Sequence, residues 1–306
     1  MTGPRGTAVA IALLLAALAA AGCGLGPGAD VGSVGLTVTR EFGTVPVLQR
    51  SLAAKESDTV MRLLERNAEI ETRYGGGFVH SINGVAEGER DGDPYDWFFY
   101  VDGTESPVGA AEVDAQGGER IWWDYRDWSA TNHVPAVVGS WPAPFVDGVG
   151  GKRYPVVVEC AGGGSACGAT RTALEGEGVE LASGSPKGAI RVLVGPWDRL
   201  RDDPTAHLIE EGPAESGVFA YFEPTGDGYE VVALREDGAR AGRLGTSTGL
   251  VAATSRYGGP PVWIVTGGTA AAVRAAAGAL DAEHLRDHYA VAIEDGKTTP
   301  LPVEGR

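Results

Sequence analysis

Two short segments concentrate the side chains best suited to chemistry: Tyr95-Asp96-Trp97-Phe98-Phe99-Tyr100-Val101 and Glu119-Arg120-Ile121-Trp122-Trp123-Asp124-Tyr125. Of the seven tryptophans in the 306 residues, four lie between Trp97 and Trp128. Large flat rings beside a few carboxylates and one guanidinium suit non-covalent capture of an organic ligand, since ligand sites are mostly apolar with few polar groups. Bond-breaking chemistry has weaker support. There is no G-x-S-x-G elbow, and Ser216-Gly217 stands without a supporting frame. His284 and His288 are spaced i, i+4, but Arg286 lies between them and no third metal ligand is evident, so a solvated helix face is expected. Gly162-Gly163-Gly164 with Gly168 lacks the G-x-G-x-x-G spacing of a dinucleotide loop. Thr266-Gly267-Gly268-Thr269 precedes a helix but carries no Walker lysine. The carboxylates are numerous, and without geometry no pair is an acid and base. The chain reads as non-enzymatic, with no cofactor and no metal.

The elements that must position these rings follow from period and punctuation. In a strand, alternate side chains share a face, so Trp97, Phe99 and Val101 lie opposite Phe98 and Tyr100. Ile121, Trp123 and Tyr125 likewise lie opposite Trp122, Asp124 and Arg126. Further strands are expected at 35–40, 45–52 and 78–85, with Asp102-Gly103 as a tight turn. A helix over 58–67, capped by Ser57-Asp58, gathers Val60, Met61, Leu63 and Leu64 on one side. One face of the aromatic strands can bury against it. The other either stands exposed as a binding surface or is covered by loops or a second domain; both remain open from sequence.

Between 131 and 153 periodicity fades and Pro135, Pro142 and Pro144 collect among glycines, which marks a Pro/Gly-rich linker. Residues 154–306 then mix strands (156–159, 179–182, 189–194, 218–222, 229–234, 262–266, 289–293) with helices at 170–175, 197–211 and 269–280. Pro204 must kink or end the middle helix. The fold class expected is α+β: a small sheet-plus-helix domain at 34–130, then a mixed α/β domain of unassigned function at 154–306. At 43% hydrophobic composition both can hold cores. The net charge of −16, with Lys55, Lys152, Lys187 and Lys297 the only lysines, excludes a basic nucleic-acid footprint.

Arg5, an apolar run from Ala8 to Ala21, and Ala20-Ala21-Gly22-Cys23 form an export signal over residues 1–23. The run is shorter than the roughly 18–20 residues that span a bilayer. Cys23 directly after Ala-Ala-Gly resembles the lipobox of bacterial lipoproteins, which implies a lipidated first mature residue and an extracytoplasmic protein held to the membrane by acyl (palmitate-type) chains. Residues 24–33 suit a flexible tether. Cys160 and Cys167 then form an even pair in an oxidising compartment, flanking a Gly-rich loop, and are expected as a disulfide.

Gly77-Phe78-Val79-His80-Ser81-Ile82-Asn83-Gly84, Asp96-Trp97-Phe98-Phe99-Tyr100-Val101-Asp102-Gly103 and Glu119-Arg120-Ile121-Trp122-Trp123-Asp124-Tyr125 together resemble the transcobalamin-like C-terminal domain, a family also found in bacterial surface lipoproteins. Asp102 stands where asparagine is common, a mild departure because both tolerate turn geometry. The resemblance covers about residues 34–130 and implies one helix packed on a sheet. It further implies a cobalamin-type ligand, contacted by Trp97, Tyr100, Trp122, Tyr125, Ser81 and Asn83, and transfer to an uptake transporter. The helical barrel that completes the cobalamin site in animal carriers has no counterpart here. His80 has the chemistry of an axial cobalt ligand, although a half-buried strand histidine is the commoner role. The alternative is a cell-surface module that docks a protein or polymer without binding a small molecule.

Overall fold

The long strands of the first domain contain the alternating segments, and β1 and β7 start a few residues before them. A computed structural model describes residues 28–304 apart from 163 and 227; Cys23 and the apolar run lie outside the described residues. The first domain comprises β1 (Asp30–Arg40), β2 (Val45–Lys55), α1 (Val60–Glu65), β3 (Ile70–Arg73), β4 (Phe78–Ile82), β5 (Val85–Ala86), β6 (Gly88–Arg90), β7 (Asp93–Val101), β8 (Thr104–Glu105) and β9 (Arg120–Asp127). β1 therefore starts inside the stretch expected as a tether. The main sheet runs β2-β1-β9-β7-β6, with β8 on β7, and β3-β4-β5 form a second small sheet. β1 and β9 pair in parallel, while β7 and β9 are antiparallel.

Thr59, rather than Ser57-Asp58, caps α1 by accepting from the Arg62 N–H at 3.3 Å. Asp58 is otherwise engaged: it accepts from the Lys55 N–H and pairs with Arg66. Val60, Met61, Leu63 and Leu64 are buried as expected, against Leu36, Val38, Trp97, Ile121, Trp123 and Tyr125.

The second domain contains β10 (Val156–Cys160), α2 (Ser165–Gly176), β11 (Ile190–Pro196), β12 (Ala220–Thr225), β13 (Gly228–Leu234), β14 (Arg240–Gly245), β15 (Gly249–Thr254), β16 (Val262–Gly267), α3 (Ala270–Gly278), β17 (Ala290–Glu294) and β18 (Lys297–Leu301). A six-stranded mixed sheet, β10-β11-β16-β15-β17-β18, is covered on both faces. Val192, Val194, Val251, Trp263 and Val265 meet α2 and α3 on one side. Leu193, Leu250, Ala252 and Ile264 meet the β12-β13-β14 meander on the other. The molecule is thus mixed α/β, mostly sheet with few helices. Pro204 has the effect expected of it: 197–211 is broken into Trp197–Leu200 and Leu208–Glu211. The strand expected at 179–182 is reduced to a bridge between Leu181 and Val156. Cys160 and Cys167 are joined as a disulfide between the end of β10 and the first turn of α2.

The Pro-rich stretch after β9 is a buried strap. Val134, Ala136, Val137 and Val138 are buried, and Trp141 packs on Phe145 and Trp263 at ring-centroid distances of 5.4 and 5.7 Å. It brings the second domain against one face of the first, where Phe42, Tyr100, Trp122, Val134, Val137, Phe219, Leu234 and Tyr289 form a core shared by both.

Candidate functional site

The β7–β9 ladder sets Trp97 opposite Tyr125, Phe99 opposite Trp123 and Tyr100 opposite Trp122. Because side chains alternate, these pairs divide between two environments. Tyr100 and Trp122 face the second domain and have no exposed surface. Tyr289 lies edge-on to both, with centroids 5.6 and 5.3 Å away. The Trp122 indole N–H donates to Thr39 Oγ1 at 2.7 Å. Of the two options open from sequence, this face is the covered one, so Tyr100 and Trp122 do not form an accessible aromatic surface with Trp97.

The opposite face carries Trp97 and Tyr125, 5% and 2% exposed. Their polar ends hold the β4–β5 hairpin: Trp97 Nε1–H donates to the Val85 carbonyl and Tyr125 O–H to the Ala86 carbonyl, both at 2.8 Å. Ser81 is buried in β4. Asn83 is exposed at the hairpin turn, with φ 49°, and its Oδ1 accepts from the Glu69 N–H at 3.0 Å. His80 sits beside Glu87 at 3.2 Å and the Arg73 guanidinium at 3.0 Å. The six residues expected to share a ligand are therefore divided by the sheet and by the hairpin.

Trp97 does border a cavity, a slot of about 200 Å³ within the first domain. Its floor is the stacked pair Phe99 and Trp123, with centroids 4.8 Å apart and ring planes 27° apart. Phe78 of β4, Asp96 and the loop from Ser106 to Ala110 complete the lining. The loop is held by its own turn, Ser106 Oγ donating to the Val108 carbonyl at 2.9 Å. Outside the slot, Tyr74 is 87% exposed and lies edge-on to Phe78 at 6.2 Å.

Two polar groups belong to residues that line the slot, Trp123 and Asp96. Trp123 is 2% exposed, and its indole N–H is buried with no partner. Such a group carries its full desolvation cost until an acceptor arrives. Burial pushes the Asp96 carboxyl up to about 6, against the lowering effect of the Trp97 N–H, with Glu87 raising it and His80 and Arg126 lowering it. The aromatic lining suits a planar apolar group. A second cavity, about 320 Å³, shares Glu105, Ser106 and Val108 with the slot and is lined beyond them by Val101, Val113, Val149 and carboxylates including Glu112 and Glu119. Among the described residues no three His, Cys, Asp or Glu side chains are placed to hold a metal ion.

Phe99 and Trp123 are the residues that reasoning from sequence passed over. The signal was present for Phe99, which period-2 alternation puts on Trp97's face, whereas Trp123 joins that face only through the β7–β9 register. Asp96 and the 106–110 loop gave no such signal; only the tertiary fold brings them to the slot.

Comparison with known proteins places the slot inside a described domain. A family described as "Domain of unknown function (DUF4430)" matches residues 57–127, which include every slot residue named above. No curated protein matches. Among solved structures, one described as the "Crystal structure of a putative metal binding protein from Ruminococcus gnavus ATCC 29149" is 13% identical over 31% of this chain and 97% of that chain, with a TM-score of 0.25. At that score the likeness carries no argument about fold or ligand. The family match is to the first domain and ends at the last residue of β9.

Proposed function

We propose that this chain is a non-enzymatic binding lipoprotein, held on the extracytoplasmic side of a membrane by lipid on Cys23. Its first domain captures a planar organic group in the Trp97–Phe99–Trp123 slot. The observation that carries this reading is the concave aromatic lining, with Trp97 beside the stacked Phe99–Trp123 pair. The Ala8–Ala21 run, the Ala-Ala-Gly-Cys sequence and the Cys160–Cys167 disulfide support export. No described helix is long and apolar enough to cross a membrane. The transcobalamin-like resemblance makes a cobalamin-type ligand, passed on to an uptake transporter, the specific form of the reading. A slot of about 200 Å³ is smaller than the roughly 300–1,000 Å³ that encloses drug-sized ligands. It therefore grips an edge or one ring of such a ligand and leaves the body outside.

The small volume and the exposed Tyr74 and Val108 favour a second reading, in which the slot takes one side chain of a protein partner. Calorimetric titration of the full chain in mild detergent with cobalamin separates the two. Saturation at one site in the micromolar range, weakened tenfold or more by Trp123→Phe, supports ligand capture. Absence of heat from a folded sample rejects the cobalamin-type form and leaves the protein-docking reading. Trp123→Phe is the suitable variant because Trp97 also secures the hairpin.

A further inference from the structure

A larger cleft, about 650 Å³, opens where the strap after β9, the helical turns at 197–216 and the loop after β15 converge. It is separate from the slot and shares no lining residue with it. At its rim Tyr257 is 94% exposed and adopts φ 53°. A bulky residue in the left-handed region is uncommon, and such conformations cluster at functional sites. The Arg256 guanidinium lies 4.9 Å from the Tyr257 ring centroid and donates to its hydroxyl at 3.1 Å, bracing the ring from one side. Along the cleft, the exposed carboxylates of Asp202 and Glu215 make no side-chain hydrogen bond or ion pair with any described residue, while that of Glu211 reaches only His207, at 3.9 Å. The Arg201 guanidinium is already committed to Tyr229 Oη at 2.6 Å and to Glu210.

The lining narrows the ligand class. Pro135, Pro204, Leu208 and Ala214 are the apolar contributors among mostly polar neighbours, too few for a flat apolar molecule. Arginines and histidines oppose a cation, and three carboxylates oppose an anion. Sugar hydroxyls need donors and acceptors together, and an exposed aromatic face suits the apolar side of a pyranose ring. We propose that this cleft binds a neutral oligosaccharide, a short run of an extracellular polysaccharide, with Tyr257 as its stacking platform and Asp202 as a hydrogen-bond acceptor.

An array of neutral and acidic glycans probed with the full chain in mild detergent tests the assignment. Saturable binding to one or more neutral glycans is expected, at least tenfold weaker in Tyr257→Ala and in Asp202→Asn, retained in Tyr257→Phe and unchanged in Trp123→Phe. Tyr257 is almost wholly exposed, so its replacement leaves the fold intact, which circular dichroism checks. No glycan binding, binding restricted to acidic glycans, or neutral-glycan binding indifferent to both substitutions overturns the proposal. Because Trp123→Phe reports on the slot alone, failure here is distinguishable from failure of the slot reading.

Discussion

Tyr289 donates its hydroxyl to Asp124 Oδ2 at 3.0 Å, joining residues 165 apart across the boundary between the two domains. Asp124 has no exposed surface and Tyr289 has 2%. The other carboxylate oxygen accepts from Thr39 Oγ1–H and, at 3.1 Å, from the Gly43 N–H; Thr39 in turn accepts from Trp122. A buried carboxylate is tolerated only when its lone pairs are filled. The chain of Trp122, Thr39, Asp124 and Tyr289 therefore docks the domains in one orientation.

Removing only the Tyr289 hydroxyl keeps the ring against Tyr100 and Trp122 and leaves Asp124 short of a donor. Tyr289→Phe is expected to cost about 1–3 kcal/mol, read by urea unfolding. A loss near zero would mean that the hydroxyl does not bind Asp124 in solution.

Gly43 marks a close backbone approach between the domains. It has φ 88°, and a Cβ there would lie 1.8 Å from the Asp287 carbonyl oxygen. Gly43→Ala meets both the left-handed penalty and a backbone collision that no rotamer relieves. It should lower the midpoint of thermal unfolding well beyond Gly75→Ala, where φ is 76° but nothing lies within 4 Å. Equal shifts for the two would show that the domain contact is loose.

The first domain was largely legible because its strands have one face in a core and one against something different, so alternation survives. Gly249-Leu250-Val251-Ala252-Ala253-Thr254 shows the limit. This central strand is buried at all six positions, so it carries no alternation and passes unnoticed as a small-residue run. The six candidate ligand residues lie on both faces of the sheet and at the hairpin, a division the strand sequence alone does not reveal. A strand sequence tells which side chains share a face but not what covers it, and Phe219 and Tyr289, whose packing seals Trp122, belong to the other domain. In the strap at 131–153 the prolines mark irregular backbone without revealing that Trp141 packs on Trp263.

Trp97 and Trp123 line the same slot, yet their indole N–H groups differ. Trp97 donates to the Val85 carbonyl, and Trp123 donates to nothing among the described residues. Replacing each by Phe removes similar volume, so the difference in stability loss isolates the hydrogen bond. Trp97→Phe should be more destabilising than Trp123→Phe by about 1 kcal/mol. Equal losses in paired urea titrations would imply that Trp123 has found an acceptor.

Asp102 offers a test in which pH works opposite to the usual carboxylate behaviour. It occupies the β7–β8 turn at φ 50°, is 1% exposed, and its Oδ1 accepts from the Arg120 N–H at 2.8 Å. Burial pushes its carboxyl up to about 8, against the lowering effect of that N–H, with Glu119 and Asp147 raising it further and the Arg120 guanidinium lowering it. The folded state thus keeps a proton that the unfolded chain releases near its ordinary value of 3.8. Its stabilising contribution is complete below pH 4 and declines as pH rises through 8. Asn cannot ionise, keeps an acceptor oxygen for Arg120 and tolerates the left-handed turn. Asp102→Asn should match the parent near pH 4 and become more stable as pH increases, by about 1–3 kcal/mol at pH 8. Other titrating groups, including Glu236, whose carboxyl burial pushes up to about 7, are common to both proteins and cancel in the difference. Urea titrations at pH 4, 6 and 8 measure that difference directly. A constant value across the three would show that Asp102 is ionised at little cost, with water reaching the turn.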